Sequence, residues 1–343
     1  MSAEVALLRL ATRGSALALA QAMLVAGLLE RAEPGTKVEL VRVRTSGDER
    51  PAKEPGGFGA RGRRVASDSG GLDGTSPAGE PLDKSRFVKE IEEALLANEA
   101  DLAIHSAKDV PSELPEGLAI VGVPARADAR DAICGADSLA ALPPGARVGT
   151  SSLRRRAQLL ASRDDLEVVD LSGNVDTRLH RLSAGDFEAV LLALAGLERL
   201  GRSEGAPVEP ADMTPAPGQG CLALEARVGD EPVAELAARV TDREALVCLT
   251  AERAVTVELA ATCRTPIGVH AALGTPTPNA LTISTFVGLP DGSAWIRDRV
   301  RGDAKSPSEL GREAARRVRS VGASELLSAA ETDAGRSFPT ARS

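Results

Sequence analysis

The chain has 343 residues, with 41 Lys and Arg against 49 Asp and Glu, a formal net charge of −8 and a sequence pI near 5.2. That length exceeds what one hydrophobic core organises and suits two or three domains with clefts between them. The acidic balance opposes binding to phosphate backbones or anionic lipid, so any anion site has to be a local arginine cluster. With aromatics at 2% and no Tyr, little is available to stack on bases, and the cores must be built from Ala, Leu and Val.

The opening MSAEVALLRLATRGS has neither a basic start, a long apolar stretch nor a small-residue cleavage pattern. No later run approaches the roughly 18 apolar residues of a membrane span, so a cytoplasmic protein without a membrane partner is expected. Strand and helix patterns then alternate: LLRLA, SALALAQAMLVAGLLERA, VELVRV, and later FVKEIEEALLANEA followed by DLAIHS. Between them, residues 51–82 are rich in Gly, Pro, Ser and Arg with little periodicity, which favours a flexible surface insertion over an ordered lid. From about residue 129 the alternation restarts with ARVGT, SLRRRAQLLASR, LEVVDL, NVDTRLHRLSAG and EAVLLAL. TPAPGQG then looks like an interdomain crossing that leads into the strand candidate CLALEARV. After about residue 243 come one long helix pattern, the strand-like runs VHAAL, LTISTFV and SAWIRDRV, and a closing helix SELGREAARRVRSVGA. The expected architecture is two α/β domains, 4–124 plus 221–238 and 129–216, with a smaller α+β domain at 243–330 and a fraying polar tail.

Three strand candidates run through a short polar turn into a helix: LRLATRGSALALAQ, RVGTSSLRRRAQLL and VVDLSGNVDTRLHRL. Each turn aims backbone N–H groups and a helix dipole at one point, and Arg13, Arg154, Arg155 and Arg178 stand in them. One such turn would be read as ordinary capping, but three with arginines suit a cleft for a polycarboxylate. DLAIHSAKDVP delivers Lys108 and Asp109 beyond a strand end, where open α/β sheets bind ligands. An Asp there can steady a developing cation and relay protons, although the pair also fits an exposed turn. His105 reads as a packing residue. The four cysteines, Cys134, Cys221, Cys248 and Cys263, lie far apart with no His at ligand spacing, so no metal site is expected. Cys263 follows the long helix and precedes Arg264, whose charge favours a thiolate; taken alone, a lone Cys is more often inert packing.

These stretches, together with AGLERLG, PAPGQG, TAERA and ATCRTPIG, resemble the porphobilinogen deaminase (hydroxymethylbilane synthase) family in order from about residue 8 to 268. The resemblance implies a fold of two domains similar to class II periplasmic binding proteins plus a cofactor-carrying third. It implies stepwise condensation of four porphobilinogen molecules into hydroxymethylbilane, with loss of ammonia, by a monomer. The implied cofactor is dipyrromethane, held by a thioether on Cys263. Asp109 matches the catalytic carboxylate. Ser15, Lys108, Asp109, Ser151, Arg154, Arg155 and Arg178 match cofactor contacts, and Arg13, Arg155, Arg199, Lys84, Phe87 and Gln219 match substrate contacts. Two departures stand out: Ser172 replaces an arginine usual in the family, and the 51–82 insertion, with Arg61, Arg63 and Arg64, is longer than the family's loop. Competing readings are a catalytically impaired paralogue and a two-lobed binding protein for a small polyanion. Nucleic-acid binding is opposed by the charge and the scarce aromatics.

Overall fold

The computed structural model describes residues 6–44, 88–262, 265–274, 277 and 279–333. The expectations for 51–82, Lys84, Phe87, Cys263 and Arg264, and for the tail past Asp333, lie outside those residues.

The first layer is a five-stranded sheet built from β1 (Ala6–Arg13), β2 (Thr36–Val43), β3 (Leu102–Ser106), β4 (Leu118–Gly122) and β10 (Leu222–Arg227), in the order β2-β1-β3-β10-β4. β1 pairs in parallel with β2 and β3, while β10 is antiparallel to both its neighbours. The period of two along these strands divides the side chains between two cores. Leu8, Leu10, Leu102, Ile104, Leu222 and Leu224 face Ala22, Val25 and Leu29 of α1 (Ala16–Ala32) and Val233 and Ala237 of α6 (Glu231–Arg239). On the other face Ala11 and Ala103 meet Ile91 and Leu95 of α2 (Lys89–Leu96), and Ala223 meets Ala245 and Leu249 of α7 (Arg243–Glu258). Both cores are aliphatic, as the composition demands. Burial of a residue such as Leu10 or Leu102, each 0% exposed, contributes about 2 kcal/mol.

The second layer repeats the plan with β5 (Asp131–Cys134), β6 (Arg147–Gly149), β7 (Glu167–Val169), β8 (Ala189–Ala193) and β9 (Ala206–Val208), ordered β7-β6-β8-β5-β9. β6 is parallel to β7 and β8, and β5 is antiparallel to both its neighbours. In each sheet the fourth place is thus taken by an antiparallel strand that the chain lays down as it passes from one layer to the other. The helices α3 (Leu153–Ser162), α4 (Val175–Ser183) and α5 (Leu194–Arg199) follow β6, β7 and β8, and α5 touches α1 across the layers.

The third unit is an antiparallel sheet of β11 (Ile267–Leu273), β12 (Ala280–Gly288) and β13 (Trp295–Asp303), covered by α7, α8 (Pro307–Arg319) and α9 (Ala323–Asp333). The fold is of the expected class: two α/β layers of like strand order and a smaller α+β unit. The sequence reading did not anticipate α6 or α9.

Candidate functional site

β1 ends at Arg13, and Ser15 caps α1 by accepting a hydrogen bond from Ala18 N at 3.3 Å. Alongside, β3 ends at Ser106 and enters a 3-10 turn, Ala107–Asp109. These neighbouring strand ends enclose a cavity of about 80 Å³ lined by Arg13, Ser15, Gln21, His105, Ser106 and Asp109, among others. Lys108 and Asp109 are half-buried on the turn. Gln21, itself buried, donates to Ser106 Oγ at 3.1 Å and steadies the wall. The PAPGQG stretch presses on the same turn. Gly218 holds φ at 72°, and a Cβ there would stand 3.0 Å from both Ala107 C and Lys108 N, so only glycine lets the crossing lie this close.

A second group forms on the other layer around Asp131, the first residue of β5 and 0% exposed. Arg154 reaches Asp131 Oδ2 through Nη1 at 2.6 Å and Oδ1 through Nη2 at 3.0 Å, and Arg155 reaches Oδ1 through Nε at 2.9 Å and Nη2 at 2.8 Å. Gln219 Nε2 adds a contact to Oδ1 at 3.1 Å and one to Ala129 O at 2.7 Å. Burial would raise the Asp131 carboxyl, but the guanidinium charges of Arg154 and Arg155 outweigh it and hold the group well below the usual carboxylate range. Further donors go inward: Arg154 Nη1 to Thr214 O and Arg155 Nη1 to Leu191 O, each 2.8 Å. Both arginines thus spend several of their donors inside the layer.

Arg178 is more open. Its Nε donates to Gly173 O at 2.9 Å, and burial together with the Arg155 charge pushes its guanidinium down to about 10, with Asp170 partly opposing. Two like charges kept this close are relieved by an anion. Arg199 donates through Nη2 to Gly220 O at 2.7 Å, tying the end of α5 to the crossing strand. Ser151 is exposed; the hydroxyl that caps α3 is that of Ser152, which accepts from Arg155 N at 3.4 Å. Asn174 caps α4 by accepting from Thr177 N at 2.8 Å. All three turns are thus capped by their own side chains, and each cap occupies one amide. Ser172 is exposed just before this last turn.

Asp109 and Arg13 with Ser15 are brought together on the first layer, and Arg154, Arg155, Arg178 and Gln219 on the second. Cys134, Cys221 and Cys248 are buried, and burial pushes their thiols up to about 11, 12 and 11, which makes them inert. Thr262 N donates to Thr265 Oγ1 at 2.8 Å and Thr265 N to Thr262 O at 3.1 Å.

A family model described as porphobilinogen deaminase, dipyromethane cofactor binding domain, matches residues 8–235, and one described as porphobilinogen deaminase, C-terminal domain, matches 246–320. The chain belongs to the porphobilinogen deaminase family. A porphobilinogen deaminase of Deinococcus radiodurans is 42% identical over 323 residues, covering 93% of this chain and 97% of the relative. One of Thermus thermophilus is 42% identical over 320 residues, covering 92% and 96%. Among solved structures, YhfZ from Shigella flexneri is 19% identical, covers 72% of this chain and 93% of its own, and superposes with a TM-score of 0.34, too low to add to the fold described above.

Several buried acids of this porphobilinogen deaminase were passed over by sequence reasoning. Asp131 opens the run DAIC, and Glu225 sits inside the buried strand LALEAR. A lone acid in an otherwise aliphatic strand is the signal that could have found both, because it must have a partner. Glu252 on α7 is a third. It accepts from Arg126 Nη1 at 2.8 Å, Gly218 N at 2.6 Å and Ala271 N at 2.7 Å, and so joins both crossings to the third sheet. His105, read as packing, is buried as expected but also walls the cavity beside Asp109.

Proposed function

We infer that the chain is a hydroxymethylbilane synthase, which condenses porphobilinogen stepwise into a linear tetrapyrrole with release of ammonia. The observation that carries this reading is the cavity at the ends of β1 and β3, where Asp109 stands with Arg13 and Ser15, in a chain matched by the family's cofactor-binding domain over 8–235.

The residues present fit a dipyrromethane bearing carboxylate arms. Arg154 Nε and Gln219 Oε1 are buried without hydrogen-bond partners among the described residues, and the Arg178 charge is destabilised by burial and then by Arg155. When bound, the dipyrromethane supplies the pyrrole carbon on which the chain grows. Asp109 is proposed to place its carboxylate against pyrrole N–H groups and to stabilise the positive charge that develops as ammonia departs. Arg13 and Arg199, with Lys84, Phe87 and Gln219, are assigned to the incoming porphobilinogen. Ser15, Lys108, Ser151, Arg154, Arg155 and Arg178 are assigned to the cofactor arms, with Asp131 fixing the planes of Arg154 and Arg155. Cys263 is assigned the thioether. The three sheets are taken as three domains with the limits 4–124 plus 221–238, 129–216 and 243–330, working as a cytoplasmic monomer.

Intact mass is the test. The purified chain should exceed its sequence mass by two linked pyrrole units, Cys263→Ser should lack the excess, and the loaded protein should release ammonia from porphobilinogen. A loaded protein that fails to turn over porphobilinogen would establish the impaired-paralogue reading instead.

A further inference from the structure

Behind the cavity wall lies a set of ionisable groups with no part in the scheme above. His105 and Glu225 stand on the same face of the first sheet. The antiparallel register sets Glu225 opposite Ala103 and His105 opposite Ala223, so the two are diagonal neighbours. His105 Nε2 lies 2.9 Å from Glu225 Oε2, with side chains 3% and 0% exposed. Glu92 reaches this face from α2 and is also buried. Close as they stand, His105 Nε2 and Glu225 Oε2 do not make a hydrogen bond in this geometry, and Glu225 Oε1 and Glu92 Oε1 are likewise buried without a hydrogen-bond partner among the described residues.

Two carboxylates and one imidazole in a dry space cannot all be comfortable at once. Two buried carboxylates repel one another and are poorly solvated, a cost that a proton held on Glu92 relieves. Burial, then Glu225, raises the Glu92 carboxyl to about 7, with His105 opposing and Glu93 adding a little. The charge of Arg253 on α7 is felt at Glu225, and Arg13 and Asp109 line the same cavity as His105. A purely structural role is poorly served by such a group, since apolar side chains of similar volume would hold α2 to this sheet at least as well.

We propose that His105, Glu225 and Glu92 form a buried proton relay serving Asp109, with His105 as the member at the cavity wall. The proposal rests on the function inferred above. In each condensation the bond from the aminomethyl carbon to nitrogen breaks, its electron pair leaving on ammonia, and that carbon bonds to the pyrrole α-carbon of the growing chain. The α-carbon then gives up its proton. Starting from the ammonium form of porphobilinogen, one carbon-bound hydrogen ends as the fourth hydrogen of ammonium, so atoms and charge balance. Ammonia leaves before the carbon-bound proton does, and Asp109 must discharge that proton before the next unit arrives. The relay receives it from Asp109 and returns it to ammonia or water. None of the three relay members needs to touch substrate, and they act as positioning residues for the proton.

The experiment is the pH dependence of porphobilinogen turnover by the cofactor-loaded enzyme, native and Glu92→Gln. The native profile should show a limb near pH 7. In Glu92→Gln that limb should move by at least about one pH unit, kcat at pH 8 should fall about tenfold, and KM should stay unchanged. Superimposable profiles would overturn the relay while leaving the enzyme assignment intact, whereas absence of turnover in the native protein would overturn that assignment first. Should Glu92→Gln not fold, infrared spectra of the native enzyme decide. A protonated-carboxyl band titrating near pH 7 and changing on addition of porphobilinogen supports the relay, and a band indifferent to porphobilinogen refutes it.

Discussion

Arg154 Nη1 and Asp131 Oδ2 meet at 2.6 Å in a place where their side chains are 5% and 0% exposed. The contact joins the first turns of α3 to the strand that enters the second layer, and Arg155 and Gln219 close around the same carboxylate. Asp131→Asn leaves two buried guanidiniums without a counter-charge, and it is expected to cost about 3–5 kcal/mol. A thermal melt should show the loss, and intact mass should show a smaller cofactor-loaded fraction than in the native protein.

Glu92 makes stability depend on pH. Its folded-state pKa of about 7 lies above the ordinary value of 4.5, so the folded form binds the proton more tightly than the unfolded chain does. The associated stability is fully present below about pH 4.5 and is lost as the pH rises through 7, on the order of 2–3 kcal/mol in all. Glu92→Gln should flatten this dependence and melt higher than the native protein at pH 8. Chemical denaturation at pH 5 and pH 8 checks both statements.

The Glu252 carboxylate is shared by Arg126, Gly218 N and Ala271 N. Glu252→Gln keeps the shape and removes the charge, leaving Arg126 buried and unpaired. The expected outcome is a loss of about 3–5 kcal/mol and faster proteolysis at the crossings around residues 126 and 218, read by limited digestion.

Ser172 stands exposed beside the turn that bears Arg178. Restoring a cation there with Ser172→Arg adds a carboxylate contact at a solvent-accessible place, so little change in stability is expected. Cofactor retention on dilution or the rate of chain elongation should rise several-fold. Equal retention and turnover in the two proteins would show that the missing arginine is of no consequence.

Regular periods made much of the fold legible. The run SAWIRDRV reads as strand and SALALAQAMLVAGLLERA as helix from pattern alone, and the structure has β13 and α1 at those places. The insertion of β10 between β3 and β4 is a tertiary fact with no local trace. Glu231–Arg239, a nine-residue helix with Pro in its first turn, and Ala323–Asp333, which leads into the polar tail, were hidden by their neighbours in the chain and not by lack of a period. In the site the arginines announced themselves through their turns, but what they hold did not. Gln219 and Asp131 are 88 residues apart in the chain, and Glu225 finds His105 only once two distant strands have paired.

The placing of β10 also sets the order in which a nascent chain can become native. All strands of the second layer lie between Asp131 and Val208, so that layer can close while the remainder is still being synthesised. β3 and β4 have a gap between them until Leu222–Arg227 has left the ribosome. Of the two α/β layers, the one translated first is therefore finished second, and its open strand edges are what a chaperone would meet in the interval.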